Sequence, residues 1–119
     1  MQAQPISTKS AEHYRWGGPQ GTACDGWHLV KTPSLSIIEE LMPPGTSEAR
    51  HYHLHARQFF FVLEGELNLE VDHHDFILHA GEGLEIAPRQ SHQAINRSAG
   101  SVRMLVTSHP PSHGDRINA

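Results

Sequence analysis

The sequence has only one cysteine and no long apolar segment. The lone cysteine, Cys24, cannot form an internal disulfide, so the fold has to be held together by its hydrophobic core. The longest run of strongly apolar residues, from Phe59 to Leu63, is far shorter than the roughly 20 residues that a membrane-spanning helix needs. The first thirty residues contain no apolar stretch typical of a secretory signal. We therefore expect no membrane partner and a reducing, cytoplasmic location.

Positive charge is scarce and scattered along the chain. Two lysines and seven arginines stand against 13 acidic residues, which gives a formal net charge of -4 at pH 7. No group of basic residues forms the stripe that a nucleic-acid backbone attracts. We therefore expect no nucleic-acid partner.

Sustained helical periodicity is also missing. Ten glycines and eight prolines help to divide the chain into short runs, whose length is typical of strands. In one run, Leu67, Leu69 and Val71 alternate with polar residues, which indicates a half-buried strand. About eight such strands with regular turns predict an all-β domain, either a sandwich or a barrel. We expect an N-terminal arm over residues 1–20, the barrel over 21–108 and an extended C-terminal tail over 109–119.

Histidine is the one residue type in clear excess. The chain has 11 histidines, more than its nine lysines and arginines together, and histidine is the commonest metal ligand. His51 and His53 are two positions apart, so on a strand both point to the same face, about 7 Å apart along the chain. Two such imidazoles can converge on an ion inside a barrel, with His92 and the carboxamide of Gln58 as further ligands. His55 has the same parity but lies beside a turn, where we expect it to point away. The other histidines are expected to be solvated, mobile or structural: His13, His28, His73, His74, His79, His109 and His113.

The spacing of these residues resembles the two sequence motifs of the cupin superfamily, in its small single-domain, type-2 form. The first motif is matched with Gln58 in the position where the family usually has glutamate. Its five matching positions are Gly45, His51, His53, Gln58 and Gly65. The second motif corresponds to residues 81–96, in which Ala87 and Arg89 replace the usual proline and glycine. Its matching positions are Gly81, His92 and Asn96.

The resemblance covers about residues 35–107 and implies a fold and a metal site. The implied fold is a single-domain double-stranded β-helix, or jelly-roll barrel, that carries an N-terminal arm. The family's metal lies inside the barrel, so we expect one divalent transition metal per chain: Zn, Ni, Fe, Mn or Cu, several of which favour imidazole ligands. Carried over position by position, the implied ligands are His51, His53, Gln58 and His92.

The resemblance also implies a homodimer, the usual state of the family. Phe59, Phe61 and Leu63 share one face of their strand, opposite the face of Gln58. Because this outer face is apolar too, we expect it to be buried against another element or subunit. A second subunit would cover it. The alternative is that the N-terminal arm, with Trp16 and Trp27, covers this face within one chain.

The neutral ligand set indicates the kind of chemistry. Three imidazoles and one amide leave the charge of a divalent ion uncompensated, so an anionic substrate oxygen would be attracted as an added ligand. We expect an enzyme, such as a dioxygenase, isomerase, cyclase or lyase, that acts on a small oxygenated or carboxylated metabolite by Lewis-acid or O₂-activating chemistry. Candidates for contact with the substrate are Arg103, Glu85 and Phe60. Two alternatives stay open: a non-catalytic binding or sensing module, and a degenerate, empty site whose histidines bond to one another or to water.

Overall fold

The computed structural model describes residues 2–119, and within them every regular element is a strand. Short runs between glycine- and proline-rich turns leave no room for a helix, and no helix in this part of the chain is long and apolar enough to cross a membrane. The strands are β1 (Glu12–Trp16), β2 (Cys24–Lys31), β3 (Ser36–Met42), β4 (His51–Tyr52), β5 (Arg57–Glu64), β6 (Glu66–Val71), β7 (His74–His79), β8 (Gly83–Ile86), β9 (His92–Ile95), β10 (Val102–His109) and β11 (Ile117–Asn118).

The strands form two antiparallel sheets that face each other. The six-stranded sheet has the order β1-β2-β3-β10-β5-β8, and the five-stranded sheet has the order β11-β4-β9-β6-β7. Most neighbours in a sheet are distant in sequence, as in jelly-roll folds, where the chain winds from one sheet to the other. The prediction of an all-β jelly-roll fold is therefore confirmed.

The core lies between the sheets because apolar residues recur with period two. On β10, Val102, Met104 and Val106 are buried, while the residues between them face outward. On β5, Phe60 and Val62 are buried on the same face as Gln58. Each fully buried side chain of this kind contributes about 1.5 to 3 kcal/mol, so the alternation fixes which face of each strand turns inward.

A tight turn at Gly65 carries the chain from one sheet to the other. β5 belongs to the six-stranded sheet and β6 to the five-stranded sheet, and Gly65 lies between them with φ +88°. A Cβ atom at this position would lie 2.5 Å from the carbonyl oxygen of Ser101, so the turn requires glycine both for its backbone angle and for space. The turn places β5, with Gln58, opposite the strands that carry the histidines.

Both ends of the chain add a strand to a sheet edge. β1 pairs with β2 at the edge of the six-stranded sheet, and β11 pairs with β4 at the edge of the five-stranded sheet. The segment 109–119, which the sequence predicts to be an extended tail, thus returns to the strand that carries His51.

Candidate metal centre

Three histidines from the five-stranded sheet converge between the sheets. His51 on β4 is paired directly with His92 on β9, and His53 follows β4 by one residue. Each of the three offers a ring nitrogen, and these atoms all lie within 4.8 Å of one another. The rings are 95% or more buried. Gln58 approaches from β5 of the opposite sheet and is buried as well.

The hydrogen bonds of the three rings fix which nitrogen faces the centre. In each ring Nδ1 lies against a backbone carbonyl oxygen, and because a carbonyl can only accept, Nδ1 must carry the hydrogen. In a neutral imidazole the other nitrogen, Nε2, then has its lone pair free, and such an outer bond orients metal-ligating histidines. The acceptors are the carbonyl oxygens of Ala49 for His51 (2.9 Å), Gln90 for His92 (3.1 Å) and Asp115 for His53.

Burial keeps these imidazoles neutral. It lowers the pKa of His51 to about 3, with the neighbouring His92 as the next contribution, and lowers the pKa of His92 to about 4. The pKa of His53 is also lowered, again mainly by burial. Near pH 7 all three rings therefore have the protonation state that metal coordination requires.

Three buried polar atoms at the centre have no hydrogen-bond partner among the residues described. They are Nε2 of His53, Nε2 of His92 and Oε1 of Gln58. The amide nitrogen of Gln58 donates to the hydroxyl of Ser108 at 3.0 Å, which turns the amide oxygen inward. Leaving a buried polar atom unpaired costs about 1 to 3 kcal/mol. Imidazole nitrogens with one amide oxygen are a donor set that divalent transition metals accept, so these residues could hold a metal ion.

The centre opens into a cavity of about 340 Å³ that contains acidic groups. The hydroxyl of Tyr14 donates to Glu40 at 2.7 Å, and Glu48 accepts the backbone N–H of Ala94 at 3.0 Å. Burial raises the pKa of Glu40 to about 8 and that of Glu48 to about 7, while these hydrogen bonds and the positive charge of Arg116 act in the opposite direction. Burial also raises the pKa of Tyr14. The cavity therefore combines neutral metal donors with carboxyl groups that exchange protons near neutral pH.

The acidic groups of the cavity were not among the residues that the sequence singled out. A signal for Glu40 was present, because it has the same parity on β3 as Ile38 and Met42, both buried. Period two alone would have placed this carboxyl on the inner face. Tyr14 lies in a segment with weak patterning, and it enters the cavity only because β1 pairs with β2.

The last residues of the chain form one wall of the cavity. His113 and Arg116 line it, and the ring of His113 lies 5.2 Å from that of His28 and 6.2 Å from that of Tyr14, centre to centre. The guanidinium of Arg116 lies 3.8 Å from Glu48. The tail has no hydrophobic alternation, so no pattern within it indicates this position.

Of the residues predicted to contact a substrate, only Phe60 faces the cavity. Its ring is buried and lies edge-on to that of His92, at 5.9 Å between centres. Together with Ile38 and Val106 it forms the apolar side of the cavity. The parity that Phe60 shares with Gln58 on β5 accounts for this placement.

Arg103 and Glu85 lie elsewhere, which corrects their assignment as substrate-contacting candidates. Arg103 alternates with the buried residues of β10 and therefore points outward, where it binds Glu39 at 2.8 Å and lies over the ring of Trp27. Glu85 is exposed on β8 and pairs with Arg57 at 3.0 Å. Each charge is neutralised by a partner on the outer surface of the protein.

Comparison with known proteins gives matches over most of the chain. A family model described as a cupin domain matches residues 38–108. An uncharacterised protein of Methanocaldococcus jannaschii, MJ1618, is 27% identical over 89 residues, which are 74% of this chain and 71% of that protein. The HTH-type transcriptional regulator PuuR of Escherichia coli is 32% identical over 79 residues, which are 66% of this chain but only 42% of the regulator.

The fold is shared with a solved structure of low sequence identity. A predicted oxalate decarboxylase from Thermotoga maritima superposes with a TM-score of 0.80 at 17% identity, over 91% of this chain and 100% of the other. This likeness concerns the fold alone. Because the family model spans more than half of the chain and includes all four residues of the centre, the protein belongs to the cupin family.

Proposed function

We propose that this protein is a metal-dependent enzyme that acts on a small oxygenated or carboxylated metabolite, with His51, His53, His92 and Gln58 as metal ligands. The observation that carries the proposal is the convergence of unpartnered donor atoms. Ring nitrogens of the three histidines lie within 4.8 Å of one another, the buried amide oxygen of Gln58 has no partner among the residues described, and Nδ1 of each ring lies against a backbone carbonyl. Histidines that only stabilised the fold would bond to one another or to buried side chains at this point.

The donor set favours particular metals and ligands. Imidazole suits Zn, Ni, Cu and Fe(II) better than Mg or Ca, and Mn is also compatible with an amide oxygen. All four donors are neutral, so the charge of a divalent ion would be offset by an anionic oxygen of the substrate, such as a carboxylate or enolate. A divalent ion bound there would supply Lewis acidity, and Fe(II) would also permit chemistry with O₂.

Glu40 and Tyr14 are our candidates for proton transfer in the same cavity. The pKa of Glu40, about 8, lets this carboxyl either give or take a proton near neutral pH, which is the property of an effective general acid or base. Tyr14 holds one oxygen of Glu40 with its hydroxyl and so orients the carboxyl group. Phe60, Ile38 and Val106 give the other side of the cavity an apolar surface.

A non-catalytic sensing module is the second candidate function. The observation that favours it is the match to PuuR, a transcriptional regulator of which this chain covers 42%. In that case the same cavity would bind a metabolite without converting it. Conversion of the bound metabolite would identify an enzyme, and binding without conversion would identify a sensing module.

We also propose a homodimer and a cytoplasmic location. Phe59 and Leu63, 43% and 41% exposed, lie with Phe61 on the outer face of β5. The arm strand β1 lies at the far side of the sheet, separated from β5 by β2, β3 and β10, so it leaves this face uncovered. A second copy would bury it. The free, buried Cys24 is compatible with a reducing compartment.

Elemental analysis of protein purified without metal-affinity columns tests the ligand assignment. We expect one divalent transition metal per chain, and none in the double variant His51→Ala/His53→Ala, which loses two donors from one strand. The matched control is His73→Ala/His74→Ala, because His73 is exposed in the turn after β6 and His74 is exposed at the start of β7. Unchanged metal content in the first variant would refute the assignment.

The metal-loaded protein is then mixed with a panel of small hydroxy, keto and dicarboxylic acids, with oxalate as the first probe. NMR of the mixture follows conversion, and calorimetry follows binding. Conversion that chelation abolishes supports the enzyme, whereas binding without conversion of any compound supports the sensing module.

A further inference from the structure

We propose that Asp115 is a positioning residue of the metal centre, which holds His53 in its ligating orientation from the C-terminal end of the chain. The inference rests on the proposed function in one respect, namely that the centre binds a metal. Asp115 touches no donor atom that faces the centre. It acts through the outer nitrogen of His53 and through the turn that follows this histidine.

Asp115 makes four hydrogen bonds to one short stretch of the chain. Its carbonyl oxygen accepts from Nδ1 of His53. Its carboxylate accepts the backbone N–H groups of Leu54 at 2.8 Å, His55 at 2.9 Å and Ala56 at 3.0 Å. Hydrogen bonds to an ionised carboxylate are roughly twice as strong as neutral ones. A single residue about 60 positions away thus fixes the ring and the turn behind it.

The backbone N–H groups of the turn at residues 54–56 have no hydrogen-bond acceptor in a neighbouring strand. It lies between β4, which ends at Tyr52, and β5, which begins at Arg57. Backbone N–H groups without a partner destabilise a folded protein. The carboxylate of Asp115 supplies the acceptors that a neighbouring strand would otherwise provide. Since the turn joins the segment of His53 to the strand of Gln58, its shape sets the distance between two of the proposed ligands.

The rest of the C-terminal segment keeps Asp115 in place and also supports His51. β11 pairs with β4, and the N–H of Ala119 donates to the carbonyl of Arg50 at 3.0 Å. The guanidinium of Arg116 donates at 3.3 Å to the carbonyl of Ala49, the same oxygen that accepts from Nδ1 of His51. The segment 115–119 is therefore hydrogen-bonded at several points to residues 49–56, the stretch that carries His51 and His53.

Asp115→Ala retains the backbone carbonyl but loses the three carboxylate hydrogen bonds that hold this carbonyl against His53. We expect the looser acceptor to give the neutral ring access to the other tautomer, in which Nε2 carries the hydrogen and has no lone pair for a metal. Removal of such an outer partner lowers metal affinity about 10- to 100-fold in known sites. We expect Asp115→Ala to weaken Zn²⁺ binding by about tenfold or more. Asp115→Asn, which retains one acceptor oxygen, should have a smaller effect.

The matched control is Asp75→Ala, which removes the same charge from an exposed position on β7. Zn²⁺ affinity is measured by competition with a chelating dye for wild type and the three variants. The proposal is supported if the affinity falls in the order wild type, Asn and Ala, with Asp75→Ala equal to wild type. It is refuted if Asp115→Ala binds Zn²⁺ as tightly as wild type.

A second measurement separates positioning from a general loss of structure and does not depend on metal. In the metal-free protein, ¹⁵N NMR of the imidazoles reports which ring nitrogen carries the hydrogen. We expect the Asp115 variants to shift His53 toward a mixture of tautomers and to leave His92 unchanged. Equal changes at all three histidines, or none at His53, would overturn the proposal.

The two measurements also distinguish the failure of this inference from that of the proposed function. If wild type does not bind Zn²⁺ or another transition metal, the proposed function fails, while the tautomer of His53 still decides the role of Asp115. If Asp115→Ala does not fold, Asp115→Asn provides both readouts.

Discussion

The buried carboxyl of Glu40 makes the stability of the metal-free protein depend on pH in a direction that can be calculated. In the folded state its pKa is raised to about 8 by burial, against a usual value of 4.5. The groups that face it are Tyr14, which donates to it, Glu48, whose negative charge disfavours its ionisation, and the more distant Arg116, which favours it. Between these two pKa values the folded state binds a proton that the unfolded state has already lost.

The sign and size of the effect follow from this difference in proton binding. Stability falls as pH rises wherever the folded state binds more protons than the unfolded state. From pH 6.5 to 8 the loss from Glu40 is on the order of 1 to 2 kcal/mol, because each proton contributes about 1.4 kcal/mol per pH unit and the group is partly ionised near pH 8. Glu48, with a pKa of about 7, adds a smaller loss of the same sign. The histidines whose pKa is lowered contribute in the opposite direction over the same window, because they are still partly protonated in the unfolded state at pH 6.5. The contribution of Glu40 is therefore read from the difference between wild type and a variant that lacks its carboxyl group.

Replacement of Glu40 by glutamine should remove most of this dependence. We expect the Tm of wild type, measured by calorimetry with a chelator present, to fall by roughly 4 to 8 °C relative to that of Glu40→Gln between pH 6.5 and 8. In Glu40→Gln only the contributions of Glu48 and of the histidines remain, and these have opposite signs. The control Glu85→Gln changes an exposed carboxyl on β8 and should keep the slope of wild type. Equal pH dependence of Tm in wild type and Glu40→Gln would refute the raised pKa and, with it, the role of Glu40 in proton transfer.

Two further predictions concern Gln58 and the outer face of β5. Gln58→Glu adds a negative charge to the donor set and should tighten Zn²⁺ binding by about tenfold, a change of about 1.4 kcal/mol; equal or weaker binding in the chelator competition would show that Gln58 does not coordinate the metal. Leu63→Glu should convert a dimer into a monomer of 13.2 kDa in light scattering, whereas Ile77→Glu, on the exposed face of β7, should leave the mass unchanged. A monomeric wild type would contradict the proposed dimer.

The sequence predicted the fold class because strand periodicity is a local property. The alternation on β5 and β10 separates buried from exposed residues, and the structure follows it at Phe60, Val62 and Met104. The pairing of strands is not local. Nothing in the pattern shows that β10 lies between β3 and β5, and the resemblance to the cupin motifs implied the jelly-roll fold without this strand order. The division into arm, barrel and tail stays a prediction.

The same distinction separates the predicted part of the centre from the missed part. His51 and His53 could be recognised because their spacing places both on one strand face. Arg103 was a candidate for its chemistry as an anion-binding side chain, although its alternation with the apolar residues of β10 already allowed an outward orientation, and the structure has it pointing outward. Glu40 obeys parity but was not considered, because a carboxyl on an apolar face is unfavourable until Tyr14 is paired with it.

The role of Asp115 shows why part of a site is invisible to pattern analysis. Its contacts join residues about 60 positions apart and use mainly backbone groups of the partner segment, which every residue possesses. No residue type in the turn at 54–56 therefore indicates the acceptor that it needs. The need for such an acceptor follows from the backbone instead. A turn between two ligand-bearing segments leaves N–H groups unpaired, and another part of the chain must supply their acceptors. In a small cupin with a short β4, a returning C-terminal segment meets that requirement and at the same time holds the outer nitrogen of His53.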